Sequence, residues 1–346
     1  VSYVYSLPAS SYLPTLFTSS EDVIDAYGEE AAGNSLSIAC IMALENGAPV
    51  VYGVRASGSV ASRPHFIEAL SKLEKLSSIY VVVPMTVNTD MHADALNHVL
   101  KMSATAYRKE RQLFLGCSGS IGDSDTAGTL AYMASNPSNE LRTIAVATDN
   151  LLDAPILRNG MVLDNSYVAA ALAGAVCGTE KYCTPVTGRQ LVGFSVENEH
   201  WNDMQMNLMA AVGITVVTSK NDYVTVRHAL TTDQTSADTA EISVVAGIHR
   251  VIKATREYLE NRFLGKGLVI DTALLGSIEA AVTSVWTKLV DDAEIEEFGT
   301  VNDPSTGQVP IKVTQNSTEP RQVDIVGSVK LLYPLVWMRV QLVTYV

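Results

Sequence analysis

Basic residues are scarce in this chain: 24 Lys and Arg stand against 37 Asp and Glu over 346 residues, a formal charge of −13. Phosphate binding needs clustered Lys and Arg, so this balance argues against nucleic acid or an anionic membrane as partner. Cysteine is sparse too. Cys40, Cys117, Cys177 and Cys183 are too few for a disulfide framework in a chain of this length, and three of them sit among apolar neighbours as small hydrophobes, which fits a reducing compartment. Cys177 and Cys183 have no histidine beside them, so zinc would need ligands from elsewhere, and no metal site is expected. No uninterrupted apolar run reaches the ~18 residues of a transmembrane helix, and the opening VSYVYSLPAS is not a signal peptide. The absent initiator Met implies processing, a fragment or residues that precede the stretch.

Catalytic patterns are missing as well. The six histidines, His65, His92, His98, His200, His228 and His249, form no H-E-x-x-H, and no serine sits in a G-x-S-x-G turn. The glycine loop GCSGSIG, with Gly116, Gly119 and Gly122, follows a predicted strand and precedes a predicted helix. Its spacing is not G-x-G-x-x-G and it lacks the P-loop lysine, so it reads as a plain loop.

What the chain does have is apolar mass. Hydrophobic residues make up 47% and charged ones 18%, and the mean hydropathy of +0.16 implies apolar surface that partners cover. The stretch SYVAAALAGAVCG, residues 166–178, carries no charge, so it predicts a helix buried all round whose small residues let neighbouring backbones approach. Before it, RTIAVAT at 142–148 is a buried strand. Helices are expected at 19–27, 34–44, 63–76, 90–102, 126–135, 203–212, 240–264 and from Asp271 onward. Strands are expected at 50–54, 79–83, 113–116, 143–147, 215–218, 223–230, 311–313, 323–326 and 335–343. The first four strands alternate with helices, which predicts a mainly parallel sheet covered on both faces. Residues 1–18 read as an extended arm, 19–200 as an α/β domain and 201–346 as an α+β domain. In the long helix Val245, Ile248, Ile252, Leu259 and Phe263 share one face.

Several segments, in order, resemble contractile phage tail sheath proteins and the related sheaths of tailocins and type VI secretion. Asn46, Gly47 and VVYGVRA at 50–56 resemble the family's helix, Asn-Gly and strand ending in Val-Arg. The segment IYVVVPMTVNTDMHADALNHVLKMSA at 79–104, followed by RKER at 108–111, resembles its strand, Val-Pro-Leu-Thr, helix and Met-Ser-Ala. VAAALAGAVCG and TPVTGRQLVGF resemble its small-residue helix and following loop. ITVVTSKNDYVTVRHALTTD and EISVVAGIHRVIKATREYLENRFLGKG resemble a hairpin and Thr-Thr-Asp leading into a long helix. The similarity runs over nearly the whole chain. It departs on the N-terminal side, where sheath chains often carry a longer arm and an extra domain.

The resemblance implies a subtilisin-like three-layer α/β domain without the protease triad, an α+β C-terminal domain, no cofactor and no enzyme activity. It implies stacked rings of this chain around a tail tube, in a virion tail assembled in the host cytoplasm, with tube, baseplate and tail terminator proteins as partners. Beside it stands the alternative of a soluble α/β enzyme with a ligand at the strand ends. Three surfaces are expected to meet partners. Val1, Tyr3 and Tyr5, with Val336, Met338, Val340 and Leu342, are β-prone and end-placed, so the termini read as strands that pair with neighbouring subunits. Glu294, Glu296 and Glu297 belong to an acidic run at a helix C-terminus, where negative charge is unfavourable, so a neighbour's basic patch is expected there. Arg250, Lys253 and Arg256 form a basic strip on the long helix, and the resemblance points that strip at the tube. The ordinary alternative is an exposed i,i+4 pair of Lys253 with Glu257.

Overall fold

The computed structural model describes residues 12–56, 62–117, 140–148, 156–196 and 201–333. They form two compact units. One comprises residues 1–180 and 185–242, the other 181–184 and 243–346.

In the first unit, β1 (Thr15–Phe17) pairs antiparallel with β2 (Val51–Gly53) in a sheet of their own. Helix α1 (Ser20–Tyr27) starts with a capping box: the Ser19 hydroxyl accepts from the Asp22 amide while the Asp22 carboxylate accepts from the Ser19 amide. Helix α2 (Ser35–Glu45), α3 (Arg63–Leu73), β3 (Val81–Val82), α4 (Thr89–Ser103), β4 (Gln112–Gly116) and β5 (Thr143–Thr148) follow. The hairpin of β6 (Ile156–Arg158) and β7 (Met161–Leu163) leads to α5 (Asn165–Cys177). After β8 (Gln190–Leu191) come α6 (Asp203–Ala211), β9 (Ile214–Lys220), β10 (Tyr223–Val226) and the short α7 (Ala237–Ala240).

The main sheet has the order β3-β4-β5-β9-β10-β8. Its first four strands are parallel, with Val81 opposite Gln112, Leu113 opposite Thr143 and Ala145 opposite Ile214. The last two are antiparallel, turned by Asn221 and Asp222 at φ 52 and 67, residues that tolerate the left-handed region. Alternate side chains enter different layers, as period-2 strands require. Phe114, Ile144, Val146 and Val217 meet α2 and α5, whereas Leu113 and Leu115 meet α3 and α4 and Ala145, Ala147 and Val216 lie with Met209 of α6. Helix α5 is buried from Asn165 to Val176 apart from Tyr167, as its composition predicts. A Cβ on Gly174 would lie 2.2 Å from the Ala43 carbonyl oxygen, so glycine there is what lets α5 and α2 touch.

Three expectations are corrected. The strand at 50–54 is not in the main sheet; β9 takes the fourth parallel place, because β2 finds its partner in β1. For that reason the arm cannot run to residue 18: Phe17 is 1% exposed in a core with Val23 and Tyr27. A boundary at 200 would cut the main sheet, since β9 and β10 belong to it, and the compact unit continues to Ile242. The helix expected at 126–135 and the strand at 335–343 lie outside the described residues.

The second unit is built on α8 (Ile242–Phe263), which begins at the last residue of the first unit, and α9 (Thr272–Asp291). Asp271 caps α9 by accepting from the Leu274 amide. Val251 packs with Ile278, Val282, Trp286 and Leu289, and the Trp286 indole donates to the Thr255 hydroxyl at 2.9 Å. Ile252, expected on the apolar face, is 39% exposed; the buried position is Val251, one residue earlier. By length and composition α9 could cross a bilayer, which an uninterrupted apolar run did not reveal, but its buried face belongs to this unit's core. Two antiparallel ribbons complete the unit: β11 (Glu297–Phe298) with β14 (Val329–Lys330), and β12 (Lys312–Gln315) with β13 (Val323–Val326). The strands β11 and β14 were not expected from sequence, being two residues each.

Candidate interaction surfaces

The acidic end of α9 lies in the second unit, and the chain itself supplies much of its counter-charge. The helix ends at Asp292, and Ala293 turns the chain at φ 51. The Lys181 ammonium donates to the Asp292 carbonyl at 2.7 Å, placing positive charge on the negative end of the helix. Arg250 grips Glu294 with two hydrogen bonds, Nε at 2.7 Å and Nη2 at 3.2 Å, and its guanidinium lies 5.4 Å from the Tyr182 ring centre. The hydrogen bond to Glu294 raises the Arg250 pKa further above its ordinary value. Lys330 sits 2.6 Å from Glu296 and 3.7 Å from Glu297.

Two residues singled out from the sequence meet here: Arg250, expected to face a tube, and Glu294, expected to face a neighbour, bind each other within the unit. Their spacing of 44 residues is why sequence patterning could not pair them. Lys330, likewise distant in sequence, answers Glu296 and Glu297. Lys253 approaches Glu257 at 3.9 Å, and both side chains are about half exposed. Arg256 is half-buried.

The terminal residues Val1, Tyr3, Tyr5, Val336, Met338, Val340 and Leu342 lie outside the described residues. The described part of the second unit shows instead two ribbons of only two strands each. A two-stranded ribbon is marginal by itself and exposes unpaired backbone groups along its outer edges. Val326 on β13 is 56% exposed and Val309 37%.

The strand ends of the first unit, where an α/β enzyme holds its ligand, are bridged by protein. The Asn165 amide donates to the Cys117 carbonyl at 2.8 Å, and its oxygen accepts from the Thr148 amide and hydroxyl at 3.1 and 2.7 Å. A Cβ at Gly116 would fall 2.2 Å from the Ser166 nitrogen, so this glycine serves the close docking of α5; Gly119 and Gly122 lie outside the described residues. Among the described residues no group of three His, Cys, Asp or Glu could hold a metal ion. Burial pushes the Cys40 and Cys177 thiols up to about 12 and about 11, away from reactive thiolates.

Two buried ionic sites escaped sequence reasoning. Arg158, whose side chain is 4% exposed, holds Glu30 at 2.6 Å and Glu45 at 2.7 Å and also donates to the Gly193 carbonyl. Arg111, fully buried, donates to the Leu73 and Leu76 carbonyls at 2.9 and 2.7 Å and stands 2.6 Å from His98. Desolvation, with the adjacent guanidinium, lowers the His98 pKa to about 4. The only sequence signal was the basic run at 108–111.

No family model matches the chain. It is 27% identical over 330 residues to a protein named tail sheath protein from Mycobacterium phage Bxz1, a match that covers 92% of this chain and 54% of that protein. The chain thus spans about half the length of the curated relative it matches. Its fold superposes on a chain of the anti-feeding prophage helical sheath in the contracted state with a TM-score of 0.70 at 12% identity, covering 97% of this chain and 90% of that one. The fold is that of a contractile sheath protein. The same sheath fold aligns with a chain from the anti-feeding prophage baseplate, TM-score 0.72 at 11% identity, over 98% of this chain and 90% of that one.

Proposed function

We propose that the chain is a structural subunit of a contractile tail sheath, which polymerises around a tail tube and contracts to drive the tube through a target envelope. The observation that carries this reading is one similarity seen twice, in sequence over 92% of the chain and in fold over 97% of it. The work comes from a bistable lattice rather than from a cofactor, and the chain is not an enzyme. Two features support that: Asn165 bridges the ends of two strands where a ligand would bind, and Cys117 beside it is a fully buried thiol. The three-layer first unit corresponds in this reading to the subtilisin-like domain of sheaths.

Partners are further copies of this chain, a tube protein, and baseplate and terminator proteins, in a virion tail assembled in the host cytoplasm. The terminal strands, with Val1, Tyr3 and Tyr5 at one end and Val336, Met338, Val340 and Leu342 at the other, pair with neighbours; ribbons with free edges are suitable acceptors. In the tube-facing strip of Arg250, Lys253 and Arg256, Arg250 also pairs with Glu294 inside its own unit, so Lys253 and Arg256 are the positions the test reverses. Decoration of purified tail tubes, viewed by electron microscopy, tests the reading. Wild type and the Arg250→Gln variant are expected to coat tubes, while Lys253→Glu with Arg256→Glu is expected to lose coating. Bare tubes with the wild-type chain would contradict the function, and normal coating by the double variant would contradict the strip.

A further inference from the structure

Helix α6 carries a single charge, Asp203 at its first residue. Its inner side is that of any helix on a sheet: Met209 is buried with Ala145, Ala147 and Val216, and Met206 packs against them. Its outer side is not. Met204 is 73% exposed, and Leu208 and Val212, which ends the helix, are exposed as well. These three recur every four residues, so they stand in one row along the helix, with exposed Ala211 beside them. A surface helix turns charged and polar residues away from the core; here the middle of that face is an apolar ridge. The charge at its start stays available, since Asp203 accepts from Arg227 through Oδ1 at 2.6 Å and its side chain is still 85% exposed.

The second unit presents a second apolar surface, of opposite charge. The turn from α8 to α9 reads LGKGLVI over residues 264–270, before the cap Asp271. Leu264, Leu268 and Val269 are exposed, Val269 by 80%, and Gly265 and Gly267 shape the turn at φ 72 and 68, the left-handed region that favours glycine. Surface turns are built from polar residues, and a run of exposed aliphatic ones is a liability unless something covers it. The cation of this turn, Lys266, is exposed between the two glycines and forms no ion pair among the described residues.

We infer that the α8–α9 turn of one copy docks on the α6 ridge of a second copy of this chain, with Lys266 meeting Asp203. Apolar burial supplies the attraction, and the opposite charges fix which surface meets which. Ridge on ridge offers Asp203 no further cation, and turn on turn offers Lys266 no anion, whereas ridge with turn satisfies both. The inference rests on the sheath reading, and it names a subunit contact that uses neither the terminal strands nor the basic strip on α8. Two different patches meeting head to tail form a heterologous contact, the type that generates rings or helical filaments.

Sedimentation velocity and electron microscopy of the full chain test it, with circular dichroism to check folding. L208E and V269E, both at exposed positions, should fold normally and each weaken association roughly tenfold or more. Cross-linking identifies the partner: in a C177S/C183S background, M204C mixed with V269C should give disulfide dimers, located by mass spectrometry, in excess of those from either variant alone. Equal dimer yields from one variant by itself overturn the ridge-to-turn pairing. A disulfide closed inside the monomeric M204C/V269C double variant overturns the second copy as partner. V269E that polymerises normally but no longer coats purified tail tubes assigns the turn to the tube protein and overturns the contact. Wild-type polymers indifferent to both L208E and V269E overturn the contact and leave the sheath reading standing. A wild-type chain that stays monomeric at every concentration overturns both.

Discussion

Arg158 is the side chain on which the first unit concentrates its buried charge. Two carboxylates and a carbonyl surround a guanidinium that is 4% exposed, so Arg158→Met would leave Glu30 and Glu45 facing each other without a cation. Breaking a fully buried pair from one side costs about 3–5 kcal/mol; Glu45, 36% exposed, keeps part of its hydration, so the loss falls below that range, and a lower urea midpoint with unchanged slope is the expected result. His98 gives a pH dependence. Its folded pKa of about 4 lies below the ordinary 6.5, so the unfolded chain takes up the proton first. The stability it contributes is complete above pH 6.5 and is lost as pH falls towards 4. Melting temperature should drop across that window, and His98→Gln, which keeps an acceptor for Arg111, should flatten the drop. Neither site was legible in the sequence, because each joins residues that nothing local connects: Arg158 to Glu30 across 128 positions, Arg111 to Leu73 across 38.

At the scale of elements the sequence was readable wherever the signal is local. Ser19 with Asp22, Asp271 ahead of α9, and the uncharged run of α5 place those helices to within a residue or two, because caps and burial are written in neighbouring positions. Strand partnership was not readable: VVYGV has the composition of a sheet strand, and only the chain path gives it β1 as partner instead of β3. The α2–α5 contact yields a prediction of its own. Gly174→Ala drives a methyl to 2.2 Å from the Ala43 carbonyl, closer than side chains tolerate, so the helices must part. Overpacking of this kind costs about 1–3 kcal/mol, and Ala43→Gly in the same chain should not rescue it, since the clash is with backbone. Thermal unfolding of the single and double variants measures this. In the second unit, Arg250→Gln removes the cation from Glu294; a lower melting temperature that reverts with Glu294→Gln is the expected signature of their pairing.

For the whole molecule, the acidic balance and the absence of catalytic patterns limited the function, and the ordered family motifs supplied its direction. Which surfaces meet partners was the least legible part. Arg250 and Glu294 look like free charges in a helix and an acidic run, and only the folded unit shows that they are a pair. The central claim is that this chain is built to polymerise around a tube. Negative-stain electron microscopy of the purified, concentrated chain at low salt tests it most directly: rings or tubes of regular repeat are the predicted result, and a field of compact single particles at every concentration would contradict it.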